Sequence, residues 1–527
     1  MKKTYKTILG LPILAMATSL LGGCSNGRNN YAYDLDFNVD VSGQTIQMWA
    51  GFGSNINDVL GDLLDEFTRL TGVNVEYESK SSYGDCLKAV TLAATKGGYP
   101  HVVVGYPDHF ASYVKSDIIV RLDYYFENDV YNSTFEPEGQ RFKISDFYSD
   151  YMVENQSIEF DENGKGYTLG VPFNKSTEVL VYNKTFFNYC ASQDDLKDKI
   201  FVPQSYDELE AVGKNILDYL ETNDLYGKEL KDDEGNVVLD LKDIYGPTFS
   251  DSTKRFKPFS YDSQANLFIT NVRQNGGTYT EYDKAEKRGY LAFDSQETRT
   301  GLTQLKKLYD ENVFGIPADW GEAKYGSNPF KACKTVMTLG SSAGVANDTT
   351  AGNKFEIGAA PVPYVHADKK YVISQGANLA LLDKGSREQR VAAWQLIKFL
   401  SKYANGYFCS QTGYYPTCAY AEKEGGMWAN LDSKSAFADE DYSTWLEQAR
   451  ESLSTTDLIR AETADVNLNS YIKDGENWIK FVDAPFSGSA DIREAVASMA
   501  PWVFTNKYTP DQAIKEMYAQ LSDYARK

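Results

Sequence analysis

Thr45-Ile46-Gln47-Met48-Trp49 is a short apolar strand, and the polar, glycine-rich turn Gly51-Phe52-Gly53-Ser54-Asn55 follows it. Val59, Leu60, Leu63, Leu64 and Phe67 then recur at helical spacing, and Gly72 opens onto Val73-Asn74-Val75-Glu76-Tyr77, a second strand. Cys86, Leu87, Val90 and Leu92 belong to another helix, and Pro100 to Val104 form a third strand ending at Gly105-Tyr106. Strand, helix, strand, helix, strand is an α/β layer, and ligands of such layers sit in the loops beyond the carboxyl ends of the strands.

Farther along, Glu178 to Tyr182 is apolar and β-branched, and Ser205 with Glu208 three residues on opens a helix lined by Leu209, Val212, Ile216 and Leu220. Residues 226–257 carry Gly, Asp and Lys without a steady period and read as an irregular or inserted region. Strands are predicted over Thr335 to Leu339 and Phe355 to Ala360, the latter stopped by Pro361 and Pro363. A buried strand, Ser374 to Leu382, and a helix, Ser386 to Ser401, return in the character of the first half. The carboxyl-terminal helix is capped by Thr509 with Pro510 as its first residue.

At 527 residues and 42% hydrophobic, the chain is too long for one ordinary core, so two or three domains are expected. Its start is a targeting segment: Lys2, Lys3 and Lys6, an apolar run from Ile8 to Leu21, then Leu21-Gly22-Gly23 before Cys24. Residues 1–23 read as a signal peptide, and Cys24 as the lipid-bearing first residue of an exported lipoprotein on the extracellular face of the membrane. Residues 24–43, rich in Gly, Asn and Asp, read as a flexible tether. Loss of the three leader lysines takes the formal charge from -21 to -24, which repels nucleic acid and anionic lipid, so the lipid is the only expected membrane contact.

Apart from Cys24 the cysteines are Cys86, Cys190, Cys333, Cys409 and Cys418, no disulfide scaffold; of these only Cys409 and Cys418 are close. With three histidines and no C-x-x-C or H-E-x-x-H spacing, neither metal nor cofactor is expected.

The segment Gly170-Val171-Pro172-Phe173-Asn174-Lys175-Ser176-Thr177-Glu178-Val179-Leu180-Val181-Tyr182-Asn183-Lys184 resembles the hallmark region of the extracellular solute-binding proteins of ABC importers, in the class of maltose-binding protein and nearest its glycerol-3-phosphate- and sugar-binding branch. Further matches run in order through Phe330 to Ser342, Ile373 to Leu381, Thr412 to Pro416, and Phe486 to Arg493. The resemblance implies an α/β, two-lobed periplasmic-binding-protein-like fold of class II type, with discontinuous lobes joined by hinge segments. Crossings are expected near Thr168 to Pro172, Pro363 to Lys370 and Ser410 to Pro416. The lobes would be 44–167 with 371–409, and 168–370 with 410–527. A monomeric receptor that delivers its solute to membrane permease subunits is implied, with the ATPase on another chain.

Asn174 and Ser176 offer amide and hydroxyl groups between Pro172 and an apolar strand, and Lys175 between them reads first as a solvated lysine. By resemblance Tyr414 contacts the solute with its ring and phenol, Gly376 and Ala377 supply backbone donors, Arg493 brings a planar five-donor fork, and Ser341 and Ser342 line the cleft. Trp49, Tyr83 and Tyr106 lie on three strand-end loops of one rim. Capping turns compete for Asn174, Ser176, Ser341 and Ser342, a surface ion pair for Arg493, and core packing for Trp49. Tyr206 and Tyr261-Asp262-Ser263-Gln264 stand where the glycerol phosphate pattern has tryptophan, and 38 tyrosines suit stacking on a sugar. Carbohydrate is therefore the first expectation, glycerol 3-phosphate or its diester the second. A glycosidase is the enzyme rival, but no carboxylate pair stands out among 74 acidic residues.

Overall fold

The computed structural model describes residues 32–130, 135–136, 141–322, 325–349, 354–423, 446–447, 450–473 and 477–526. Cys24 and the leader lie outside them. In chain order the amino-terminal layer is β1 (Thr45–Ala50), α1 (Ser54–Thr71), β2 (Asn74–Ser79), α2 (Tyr83–Ala94) and β3 (Val102–Gly105), as the periodicity predicts, followed by α3 (Pro107–Lys115). Leu60, Leu63, Leu64 and Phe67 of α1 are buried. Gly72 ends that helix at φ 72°, a left-handed cap that donates to the Thr68 carbonyl.

Two strands then follow with one residue between them, β4 (Val171–Ser176) and β5 (Glu178–Asn183). Beyond β5 come a hairpin of β6 (Glu229–Lys231) and β7 (Val237–Asp240), then β8 (Phe259–Tyr261), and a second hairpin of β9 (Thr280–Asp283) and β10 (Arg288–Leu291). The remaining strands are β11 (Phe314–Gly315), β12 (Met337–Ser341), β13 (Ile357–Ala360), β14 (Lys370–Ile373), β15 (Gln375–Leu381) and β16 (Trp478–Phe481).

One five-stranded sheet has the order β2-β1-β3-β15-β4, the other β11-β8-β12-β5-β13. In the first, β1 is parallel to β2 and β3, whereas β15 runs antiparallel to β3 and β4. In the second, β12 is parallel to β8 and antiparallel to β5. Each sheet has its own large apolar core. The molecule is thus a two-lobed α/β periplasmic-binding-protein fold of the class II kind, as expected.

Two expectations are corrected. The first crossing was expected at Thr168 to Pro172, yet β4 pairs with β15 in the first sheet and β5 with β12 in the second, so the chain changes sheet at Thr177. The polar stretch Asn174 to Glu178 stays extended through that point, so neither a turn residue nor a break in pattern marks where one sheet hands over to the other. Residues 32–43 of the expected tether are docked: Ala32, Phe37 and Val41 are buried in the first core, and the Phe37 ring meets Tyr125 edge to face at 5.6 Å. Tyr33, Leu35 and Val39 pack partly buried against the same core, so apolar side chains alternating with polar ones pin the segment.

Candidate functional site

Alternation along β4 places Asn174 and Ser176 on one face and Lys175 on the other. Lys175 is fully buried, not solvated: its ammonium is ion-paired with Glu154 and donates to the Gly376 carbonyl at 3.2 Å. Asn378 donates to the same Glu154 oxygen at 2.8 Å. Burial pulls the Lys175 pKa down, and the Glu154 carboxylate opposes that pull.

On the other face, Asn174 Nδ2 donates to the Tyr83 phenol at 2.9 Å, and the Tyr83 and Tyr106 rings meet edge to face at 5.0 Å. Tyr414 lies beside both Asn174 and Tyr83, its ring parallel to Phe408 at 5.9 Å. Burial raises the pKa of all three phenols, which stay neutral and able to donate. Four of the sequence-predicted groups therefore converge: Asn174, Tyr83, Tyr106 and Tyr414.

Facing them is a polar chain on the second lobe. Arg493 Nη1 donates to Asp483 Oδ2 at 2.7 Å, and Nη2 to the side-chain oxygen of Asn266. Asn266 Nδ2 donates to Glu178 Oε1 at 2.7 Å and to Gln375 Oε1 at 2.9 Å, and the Tyr261 phenol donates to the other Glu178 oxygen. Against the effect of burial, the Arg493 guanidinium draws the Tyr106 pKa down, which brings the polar chain near the tyrosine cluster. Gln375 belongs to the first sheet and Asn266 to the helix Gln264–Gln274 against the second, so their hydrogen bond ties the two lobes together.

Gly376, next to Gln375, has φ +100°, and a Cβ there would lie 1.9 Å from the Asn174 carbonyl oxygen. Ala377 is fully buried and pairs with Asn174. Ser176 lies opposite Gln375 where β4 ends.

Three expected residues are placed otherwise. Trp49 points away from the tyrosine cluster, because Met48 and Ala50 take the core face of β1; it packs against the cluster that holds Cys86, Val90 and Val103, and its ring carries the Lys80 ammonium at 3.9 Å. Ser342 is buried and bonded to the Thr177 backbone, accepting at 3.3 Å and donating its own N–H at 2.9 Å. Ser341 caps the following helical turn by accepting from the Ala343 N–H at 3.3 Å. The capping alternative holds for these serines, since a hydroxyl beside a strand end finds backbone amides closest.

Glu178, Asn266, Gln375 and Asp483 were not singled out from the sequence. A signal existed for Glu178 alone, a carboxylate heading an otherwise apolar strand. Burial pushes its pKa up to about 7, against the bonds from Tyr261 and Asn266 and the nearby Arg493 charge. A carboxyl whose folded pKa lies above its unfolded value stabilises most below about pH 4.5, and that contribution is lost as pH rises through about 7. Stability should accordingly fall across this window, Glu178 contributing up to ~1.4 kcal/mol per pH unit. Glu178→Gln should flatten the slope in chemical denaturation followed at several pH values; an unchanged slope would refute the assignment.

A sequence profile for bacterial extracellular solute-binding proteins matches residues 62–438, well over half of the chain. The chain belongs to this family. A solute-binding protein holds its solute without transforming it, so the chain's role is that of a receptor rather than a catalyst. No curated protein matches the chain in sequence. Among solved structures, this solute-binding protein is similar to the GacH receptor of Streptomyces glaucescens, described unliganded and with acarbose, at 17% identity over 92% of this chain and 99% of that one, TM-score 0.60. UgpB of Mycobacterium tuberculosis in complex with glycerophosphocholine is similar at 17% identity over 92% and 98%, TM-score 0.61. Lmo0181 of Listeria monocytogenes in complex with cycloalternan is similar at 14% over 91% and 98%, TM-score 0.60. At such identities the likeness establishes the shared fold of this solute-binding protein.

Proposed function

We propose that this solute-binding protein is the extracellular, monomeric receptor of an ABC importer, anchored by lipid on Cys24, and that its solute is a carbohydrate. The first lobe runs to Ser176 and resumes at Gln375, the second starts at Glu178, and the solute sits between them. The observation that carries this reading is the convergence of neutral phenols on Tyr83, Tyr106 and Tyr414 with the hydrogen-bonded chain through Asn266 and Arg493. Phenol rings offer apolar faces to the C–H side of a sugar, and amide, phenol and guanidinium groups exchange hydrogen bonds with its hydroxyls. Gly376 lets the solute approach the main chain, and Ser176 adds a hydroxyl. GacH with acarbose and Lmo0181 with cycloalternan lend support by shared fold.

The phosphate alternative is weaker for a physical reason. Arg493 already faces the carboxylate of Asp483, so its charge is matched before any solute arrives. A neutral polyhydroxylated solute can use its remaining N–H groups without displacing that carboxylate.

Thermal shift and calorimetry of the mature protein against mono- to trisaccharides, glycerol 3-phosphate and glycerophosphocholine test the proposal. The expected result is stabilisation by a sugar, a smaller radius of gyration in its presence, and a loss of roughly ten- to hundredfold in affinity in Arg493→Ala. A larger shift with glycerol 3-phosphate or glycerophosphocholine would overturn the carbohydrate reading. No compaction with any solute would overturn the receptor mechanism.

A further inference from the structure

A cavity of about 380 Å³ opens beside Arg493. Its walls come from Phe160 in the first lobe and from Arg273, Tyr279, Thr280, Phe481 and Asp483 on the other side. Asp483 is the carboxylate that holds Arg493, so this wall of the cavity adjoins the site already described. Its volume lies at the lower end of the roughly 300–1,000 Å³ of small-molecule sites, room for a short piece of solute.

Among the described residues, three polar atoms of this wall lack hydrogen-bond partners. Tyr279 and Thr280 are more than nine-tenths buried, yet neither the Tyr279 phenol nor the Thr280 hydroxyl has a hydrogen bond, and the same is true of Arg273 Nε. Native proteins satisfy buried polar groups, and three orphans on one wall point to something that satisfies them on arrival. Arg273 is held ready, its guanidinium over the Tyr371 and Phe481 rings at 5.2 and 5.4 Å. Asp483 and Asp108 together stand against the two guanidiniums of Arg273 and Arg493, so the charges on this side are matched within the protein. Across the mouth, the Lys284 ammonium sits 4.0 Å over the Phe160 ring, bringing the β9–β10 hairpin against the first lobe. Aromatic faces with unsatisfied hydroxyl-type donors and acceptors are the lining a sugar ring requires.

Resting on the carbohydrate reading, we propose that this cavity is a second sugar subsite and that the solute is an oligosaccharide of at least two residues. One residue occupies the Tyr83, Tyr106 and Tyr414 cluster beside Arg493. The next bonds to Tyr279, Thr280 and Arg273 Nε and lies against Phe160.

The test is native mass spectrometry of the mature protein with hydrolysate ladders of starch, cellulose, xylan, mannan and galactan, followed by calorimetry on the species retained. The proposal expects a retained dimer or longer oligomer, bound at least tenfold more tightly than its monosaccharide. It further expects Tyr279→Phe with Thr280→Val to weaken the oligomer three- to tenfold or more, to leave any monosaccharide binding unchanged, and not to lower the melting temperature of the free protein. Removing two unpartnered hydroxyls has no structural bond to break, so a merely structural role would not produce this split. A monosaccharide bound as tightly as its oligomers, or oligomer affinity unmoved in the double variant, overturns the subsite while leaving the receptor a sugar binder. Retention of nothing from any ladder overturns the carbohydrate reading itself.

Discussion

Lys175→Met is expected to lower the folding free energy by about 3–5 kcal/mol, the range for removing one partner of a buried ion pair. Lys175 and Glu154 are almost completely shielded from solvent, and without the ammonium the carboxylate would keep only the Asn378 amide. Most of that loss is the penalty of an unmatched buried charge, so Glu154→Gln combined with Lys175→Met should recover a large part of it. Urea unfolding of the parent, the single variant and the double variant checks this. A single variant within 1 kcal/mol of the parent would show the pair to be inert. The same change should weaken solute binding, because Lys175 anchors the strand that carries Asn174 and Ser176 on its other face.

Gly376→Ala should be nearly as damaging. A side chain at φ +100° carries about 1–3 kcal/mol of backbone strain, and its Cβ would also fall 1.9 Å from the Asn174 carbonyl oxygen and 2.7 Å from Lys175 Cα. Both contacts are backbone, so β4 and β15 must part for the methyl group to fit. Gly43→Ala is the control: Gly43 has φ +78° with nothing within 4 Å of a Cβ, so it isolates strain from clash. Gly376→Ala is expected to lose more stability than Gly43→Ala in thermal unfolding, and to bind solute at least tenfold more weakly. Equal losses in the two variants, with solute affinity intact, would remove Gly376 from the site.

The α/β layering was legible because β1, α1, β2, α2 and β3 each obey a clean period and are separated by turn residues. The candidate cluster was legible where a residue type and a strand-end position coincide, as for Tyr83 and Tyr106. Lys175 was misread because its partner Glu154 lies 21 residues upstream, in a segment with no pattern to announce the pairing. Trp49 was misread because a strand end offers two faces, and period-2 alternation names them without saying which meets the solute. Asn266 and Asp483 escaped notice for a different reason: single polar residues acquire meaning only when the chain brings Arg493 between them.

One residue, Thr177, separates the strands of the two sheets on the outward path, and one residue, Ser374, separates β14 from β15 on the return. Links so short leave no slack for the bodies to slide past one another. With the third passage between the cores carried by the helix Thr455–Asp465, opening is expected to be a swing absorbed by a few main-chain torsions at these two positions, as in a hinge rather than a shear motion. A substitution that stiffens Thr177 or Ser374 would therefore slow capture and release together, without touching anything the solute contacts.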